Sequence, residues 1–399
     1  MAQGMISFDE AVELVVSVAK PLGTERVAIE RAGGRVLAAP AIARIDSPRA
    51  DVSAMDGYAV RTEDLSDIPA SLKVVGESFA GSGWRGRVEA GTCARIFTGA
   101  PVPDGADRIV VQENVRRDGH VAIIDKAPGP EHYIRRRGGD FAAGEILLPA
   151  GRLLDERAIV AAGAADLAEV EVYRRPSAIV LSTGDELVAP GTACDRADSV
   201  PDSVSLGVAM LAERWGAHCV GRDRLRDDLA SLEKAASAAL ERADVIIVTG
   251  GASVGEKDFA KAMFKPAGLE LIFSRVAIKP GKPAWLGRAA SRLVIGLPGN
   301  PTSALVTARL LLAPMIALMV GRPVGCALEW TTGKLATPLP ACGERETFHR
   351  ARLEGAGARL LSFQESSAQK ALAGADALVQ QRANTPALAA GERVDLLRL

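Results

Sequence analysis

Three stretches decide the fold. Ala178-Ile179-Val180-Leu181 runs into Ser182-Thr183-Gly184-Asp185-Glu186, Asp244-Val245-Ile246-Ile247-Val248 into Thr249-Gly250-Gly251-Ala252-Ser253-Val254-Gly255, and Leu293-Val294-Ile295-Gly296-Leu297 into Pro298-Gly299-Asn300-Pro301-Thr302-Ser303. Short, β-branched apolar runs separated by helical patterns read as buried parallel strands, whose carboxyl ends share one edge of the sheet. Ligand crevices of open α/β sheets lie along that edge. There the sequence would gather backbone N–H groups from glycine turns, hydroxyls at Thr183, Ser253, Thr302 and Ser303, and carboxylates at Asp185, Glu186 and Asp258. That inventory suits a phosphorylated ligand held with a metal ion.

Outward from these runs the chain divides. Strand and helix alternate through 177–322, with helices expected near 202–215, 229–242, 259–265 and 303–319, so this stretch is expected to be a doubly wound, mostly parallel α/β domain. Before it, Ser7-Phe8-Asp9-Glu10 opens an amphipathic helix in capping-box register. From 51 to 140 the pattern turns to short strands among Gly and Pro, as in Tyr58-Ala59-Val60 and Arg108-Ile109-Val110-Val111. Helical spacing then returns from 155 to 163. We therefore expect a β-rich domain (51–140) inserted in a linking scaffold (1–50 and 141–176). Beyond Gly321-Arg322-Pro323 short strand patterns near 348–353, 359–363, 377–379 and 393–397 predict a small C-terminal β domain (323–399). The fold class expected is multidomain α/β plus β.

Composition narrows the function. With 399 residues the chain is too long for one ordinary core. Its 48 Lys plus Arg nearly cancel 49 Asp plus Glu, so no global charge advertises nucleic acid or an acidic membrane. Five scattered cysteines with no C-x-x-C pair argue against zinc and for a reducing, cytoplasmic setting. The most apolar long stretch, 304–320, is interrupted by Arg309 and Pro314 and reads as a core helix rather than a membrane span. The four histidines are far apart, and no G-x-S-x-G elbow occurs.

Several motifs carry candidate chemistry, each beside a bland alternative. Asp56-Gly57 in Ser53-Ala54-Met55-Asp56-Gly57-Tyr58 is either a ligand acid or a capping turn acid. Thr98-Gly99 ends a strand ahead of Ala100-Pro101-Val102-Pro103, and is either a site hydroxyl or a rigid hairpin exit. Arg135-Arg136-Arg137-Gly138-Gly139-Asp140 sets three cations beside bare backbone, which favours an anion over a solvated charge run. Asp185-Glu186 at a strand end can hold a metal or cap the next segment. Of Asp227 and Asp228, one can cap the following helix while the other faces a cleft. The Gly250-to-Gly255 loop resembles a phosphate nest but lacks the Gly-Lys-Ser/Thr of Walker A. Lys279-Pro280-Gly281-Lys282-Pro283 fixes two ammonium groups on a stiff path, suited to an oxyanion. Pro298-Gly299-Asn300 leads to a helix start that favours anions.

Together these motifs occur in the order seen in molybdopterin molybdenumtransferases of the bacterial MoeA family, which is similar to the E domain of gephyrin. The resemblance covers nearly the whole chain. It implies four-domain subunits in an elongated homodimer, with a site between the α/β domain of one subunit and the β-rich insertion of the other. It further implies that adenylylated molybdopterin and molybdate yield molybdenum cofactor and AMP, with Mg²⁺ or a similar divalent cation. On this resemblance Asp56, Thr98, Asp140, Glu186, Asp227, Asp228 and Asp258 match acidic and hydroxyl positions, and Arg135, Lys279, Lys282 and Arg350 match cationic ones. Asp56, Glu186 and Asp258 are the catalytic candidates, with Asp56 and Glu186 as metal ligands. The substrate-binding set adds Thr183, Gly184, Gly250, Gly251, Ser253, Gly255, Pro298, Gly299 and Asn300. No covalent enzyme intermediate is expected.

The chain departs from the family pattern at Val52, at Asp198-Ser199-Val200-Pro201-Asp202-Ser203 and through 364–377. These departures keep open a non-catalytic, cofactor-binding scaffold paralogue; a second alternative is the adenylyltransferase that precedes this step and shares the α/β domain, against which the extra β domains and Lys279-Pro280-Gly281-Lys282-Pro283 argue. The pathway's adenylyltransferase and acceptor molybdoenzymes are further candidate partners; nucleic acid and membrane are not.

Overall fold

The strand Ser177–Thr183 is buried from Ala178 onward, and its alternate residues face two different cores. Ala178 and Val180 pack with Val208, Ala212, Ile247 and Ile316, while Ile179 and Leu181 pack with Leu232, Ala236, Ile246 and Phe264. A strand apolar on both faces must be covered by helices on both, which is why these runs are continuous rather than alternating. The computed structural model that shows this describes residues 4–195, 197–250, 259–355 and 357–399. They form two compact units, residues 1–25 with 173–399 and residues 26–172.

In the first unit a six-stranded sheet runs in the order His218–Leu225, Ser177–Thr183, Val245–Thr249, Arg292–Leu297, Trp285–Ala289, Glu270–Phe273. The first four strands are parallel, with Leu181 opposite Val248 and Thr249 opposite Leu297; the last two are antiparallel. From Ser177–Thr183 the chain goes first to the strand on one side, His218–Leu225, and then to the one on the other, Val245–Thr249. That reversal is a topological switch point, and it opens a crevice beyond the carboxyl ends of both strands.

The flanking helices start where the side chains can cap them. Ser7 and Glu10 form a reciprocal capping box on Phe8–Val18, and the Asp228 carboxylate accepts the Ser231 amide at 2.9 Å to begin Leu229–Arg242. The apolar stretch after Pro301 is a core helix: Pro301–Thr307 and Ala313–Met319 are joined by a widened π turn at Ala308–Leu312. Pro314 has no N–H to give the carbonyl one turn back, and the wide turn absorbs that loss. By length and composition this helix could cross a membrane, but it is almost wholly buried in the core. Its Arg309 donates to the Ala327 and Arg398 carbonyls at 2.6 and 2.8 Å, and burial pulls its guanidinium down to about 10.

Also in this unit, strands Trp330–Leu335, Glu346–Glu354, Gly357–Leu360, Ala377–Gln381 and Arg393–Arg398 close on themselves, because Glu346–Glu354 pairs with both Gly357–Leu360 and Ala377–Gln381. The short strand Ile278–Lys279 joins this barrel beside Glu346 and Thr347.

The second unit holds a six-stranded sheet in the order Arg108–Val111, Gly57–Val60, Thr92–Ile96, Ala70–Ser78, Val121–Ile124, Val115–Asp118. A separate small core forms around helix Glu156–Ala164, capped by Asp155, with Leu37, Leu154 and Val172. The fold class is thus multidomain α/β plus β, as read from the sequence.

Candidate functional site

At the switch point lies a cavity of about 810 Å³. Its walls are the three strand-end turns: Thr183, Gly184 and Glu186 after the first strand, Thr249 and Gly250 after the second, Pro298, Gly299 and Asn300 after the third. Asp227 and Lys282 also line it, so nine of the residues singled out from sequence (Thr183, Gly184, Glu186, Asp227, Gly250, Lys282, Pro298, Gly299, Asn300) meet in one place.

The glycines hold their positions for steric reasons. The Gly184 amide already donates to the Leu225 carbonyl at 3.1 Å. Gly250 has φ +89°, and a Cβ there would sit 2.4 Å from the Thr183 carbonyl oxygen. A Cβ at Gly299 would lie 3.3 Å from the Gly250 Cα. The bare backbones therefore let three turns close on one another. What they leave facing the cavity is side-chain chemistry. Thr183 is only 4% exposed, and its buried hydroxyl has no hydrogen-bond partner among the described residues.

Charge is provided by Lys282 together with Lys261 and Arg275, two lining cations that sequence reasoning missed. Neither sits in a motif; each is brought in by the way distant segments pack. Glu186 has no side-chain partner among the described residues, whereas Asp185 accepts the Asp227 amide at 3.2 Å. Below them Ser182 joins Thr249 at 2.9 Å and Asp202 at 3.3 Å, and Asp202 accepts the Ser205 hydroxyl at 2.7 Å. This buried hydroxyl and carboxylate network forms a rigid floor. Asp202 belongs to the segment where the chain departs from the family pattern, and Val200, Pro201 and Ser203 of that segment line the cavity with it.

A second departing segment forms the opposite wall. Ser367 and Gln369 line the cavity. The segment is fastened to the third turn: Asn300 donates to the Ser366 hydroxyl at 3.0 Å, and the Thr302 amide to the Ser366 carbonyl at 3.0 Å. Arg350 is 1% exposed and outside the cavity lining; it donates to the Glu365 carbonyl at 3.1 Å, while its Nε has no partner. Lys279 is exposed beside Thr347 and likewise does not line the cavity, and Asp228 caps its helix. Gly251, Ser253, Gly255 and Asp258 lie outside the described residues.

In the second unit Asp56 and Thr98 form a tight pair. The Thr98 amide and hydroxyl both donate to Asp56 Oδ1 at 2.8 Å, and they hold its carboxyl below the usual carboxylate range, the amide most strongly. Gly57 is required here because a Cβ would fall 2.0 Å from the Val110 carbonyl oxygen. Of the arginine run, Arg136 pairs with Asp51 at 2.6 Å and Arg137 with Asp46, so both serve the fold. Arg135 and Asp140 are exposed, and neither side chain has a partner among the described residues.

Among the described residues no three His, Cys, Asp or Glu side chains cluster as a ready metal cage. Each unit nevertheless offers a carboxylate of the kind a hard divalent cation takes: Asp56 keeps Oδ2 open in the second unit, and in the first Glu186 has both oxygens without a partner among the described residues. Mg²⁺ commonly takes one or two carboxylates and fills its shell with water and phosphate oxygens.

The chain matches the MoeA N-terminal region (domain I and II) over residues 6–165, a probable molybdopterin binding domain over 179–318 and the MoeA C-terminal region (domain IV) over 332–399. It is 38% identical to a molybdopterin molybdenumtransferase of Haemophilus influenzae, over 80% of this chain and 78% of that protein. The chain belongs to the MoeA family of molybdopterin molybdenumtransferases. A molybdopterin molybdenumtransferase 2 of Mycobacterium tuberculosis is 33% identical over 90% of each chain. A crystal structure of the molybdopterin biosynthesis MoeA protein from Pyrococcus horikosii superposes with a TM-score of 0.83 at 29% identity, covering 99% of both chains. Membership makes this MoeA chain a transferase of molybdenum cofactor biosynthesis, with molybdopterin and molybdate as substrates.

Proposed function

We propose that the chain takes molybdopterin in its adenylylated form, transfers molybdenum to it from molybdate and releases AMP. The observation that carries this reading is the switch-point cavity, where the Thr183 hydroxyl and three lining cations, Lys261, Arg275 and Lys282, meet. A dianionic phosphate needs fixed donors and compensating charge in a confined space, and this wall supplies both. Lys282 and Arg275 hold the phosphate, Thr183 orients it, and the loop carrying Ser367 and Gln369 closes the far side.

Asp56 and Glu186 are the residues we assign to Mg²⁺, which when bound would neutralise charge on the leaving phosphate. With Asp258 they make up the catalytic set. Thr98 fixes Asp56; Arg135, Asp140 and Lys279 complete the substrate-binding set, the two cations facing the anion, and Arg350 supports it from within the core through the Glu365 carbonyl. We assign the working form to a homodimer and the setting to the reducing cytoplasm, which the five free cysteines support.

The full-length match to MoeA relatives favours the transferase over the adenylyltransferase and over a non-catalytic scaffold. The test is AMP release by purified protein given adenylylated molybdopterin, with and without molybdate and Mg²⁺. Release that requires both supports the reading. ATP-dependent adenylylation, or folded protein with no turnover, contradicts it.

A further inference from the structure

The second unit carries an aromatic stack whose outermost ring is open to solvent. Phe79 and Phe97 lie with centroids 4.7 Å apart and planes at 14°. Arg95 sits 4.9 Å from the Phe97 centroid and 5.0 Å from that of Tyr58, and its guanidinium is locked by bonds to the Gly57 carbonyl (3.2 Å) and Gln112 (2.7 Å). Phe97 thus has Phe79 stacked on it and a cation beside it, while Phe79 remains 44% exposed.

This exposed ring is not on a slack loop. Phe79 exchanges two backbone bonds with Ser82, at 3.2 and 3.1 Å, and the Phe97 amide donates to the Ser78 carbonyl at 3.2 Å. The turn they form packs on the Thr98-Gly99 turn, since a Cβ on Gly99 would touch the Ala80 Cβ at 3.8 Å. The stack is therefore held rigidly one residue away from Thr98, the residue that fixes Asp56. A large apolar ring presented flat and held in place beside the Asp56–Thr98 pair is what recognition of a planar heterocycle requires.

We propose that Phe79 is a stacking platform for a planar, nitrogen-rich heterocycle of the ligand, the adenine or the pterin. This rests on the reading above that the ligand is an adenylylated pterin. Base-on-aromatic stacking tolerates different ring systems, so the platform selects for flatness.

The test uses the full chain with Phe79→Trp, Phe79→Leu and Phe79→Ala. In Phe79→Trp the new indole reports stacking by fluorescence quenching, titrated separately with AMP and with a pterin monophosphate; saturable quenching by one and not the other assigns the ring. Phe79→Leu keeps apolar contact with Phe97 but has no planar face. It and Phe79→Ala should raise KM for adenylylated molybdopterin by about tenfold, with kcat within about twofold and molybdate dependence unchanged, while Phe79→Trp restores KM. Turnover by the wild type with unchanged KM in Phe79→Leu and Phe79→Ala, or no quenching by either probe, overturns the platform alone. No turnover by the wild type takes down the functional reading and the platform together.

Discussion

The strand-end turns at Thr183, Gly250 and Gly299 and the run Arg135-Arg136-Arg137 both look like anion sites in the sequence, yet the folded chain uses them oppositely. At the turns the glycines are sterically committed, and the chemistry sits on side chains: a Thr183 hydroxyl with no partner among the described residues, and lining cations. In the arginine run, Arg136 and Arg137 are tied to Asp51 and Asp46, and Arg135 alone faces solvent unpaired among the described residues. A charge run says little until its partners are counted, whereas a glycine turn at a sheet's switch point says where a ligand goes even when its amides are already engaged.

Glu186→Gln would break the comparison most sharply. It should cut molybdenum insertion on the order of 100-fold, with an unchanged melting temperature, because it removes an unpartnered carboxylate from the cavity and no contact from the fold. Asp56→Asn should behave alike. Retained full activity in both variants would remove the acidic site from the account.

Gly250→Ala comes next. The new Cβ meets the Thr183 carbonyl and the residue must hold φ +89°, so the turn shifts at a cost of about 1–3 kcal/mol. Affinity for adenylylated molybdopterin, read by calorimetry, should fall about tenfold.

The arginine run should show itself in stability against pH rather than in catalysis. Asp46 is held below its ordinary 3.8 by the Ala143 amide and then Arg137, and Asp51 by the Arg137 amide and, against some burial, Arg136. Both shifts are downward, so the stabilisation is complete above 3.8 and is lost as pH falls through the lower folded values. Asp51→Asn should therefore melt earlier than wild type at pH 7, and the difference should shrink as pH falls below 3.8 and through the lower folded value. An undiminished gap in acid would contradict the pairing. The smallest effect expected is on turnover: Arg136→Ala should leave kcat/KM within about twofold, since exposed ion pairs contribute little.

The pattern of the chain made some of this legible and hid the rest for physical reasons. Local signals worked where the physics is local: Ser7 and Glu10 cap the first helix, Asp228 caps Leu229–Arg242, and three apolar runs became adjacent parallel strands. Lys261 and Arg275 escaped notice because neither belongs to a motif; only packing brings them to the cavity. The apolar helix was readable from Arg309 and Pro314, but the carbonyls that Arg309 satisfies, Ala327 and Arg398, were not. Arg350 matches a cationic position only through the family resemblance, and in the fold it is a buried strut under the Glu365 carbonyl.

Calorimetric titration of adenylylated molybdopterin into wild type and into a Lys261→Ala/Lys282→Ala double variant tests the cavity assignment most directly. Saturable wild-type binding, weakened by at least about tenfold in the variant, is the predicted result. Equal affinity in the two proteins would contradict it.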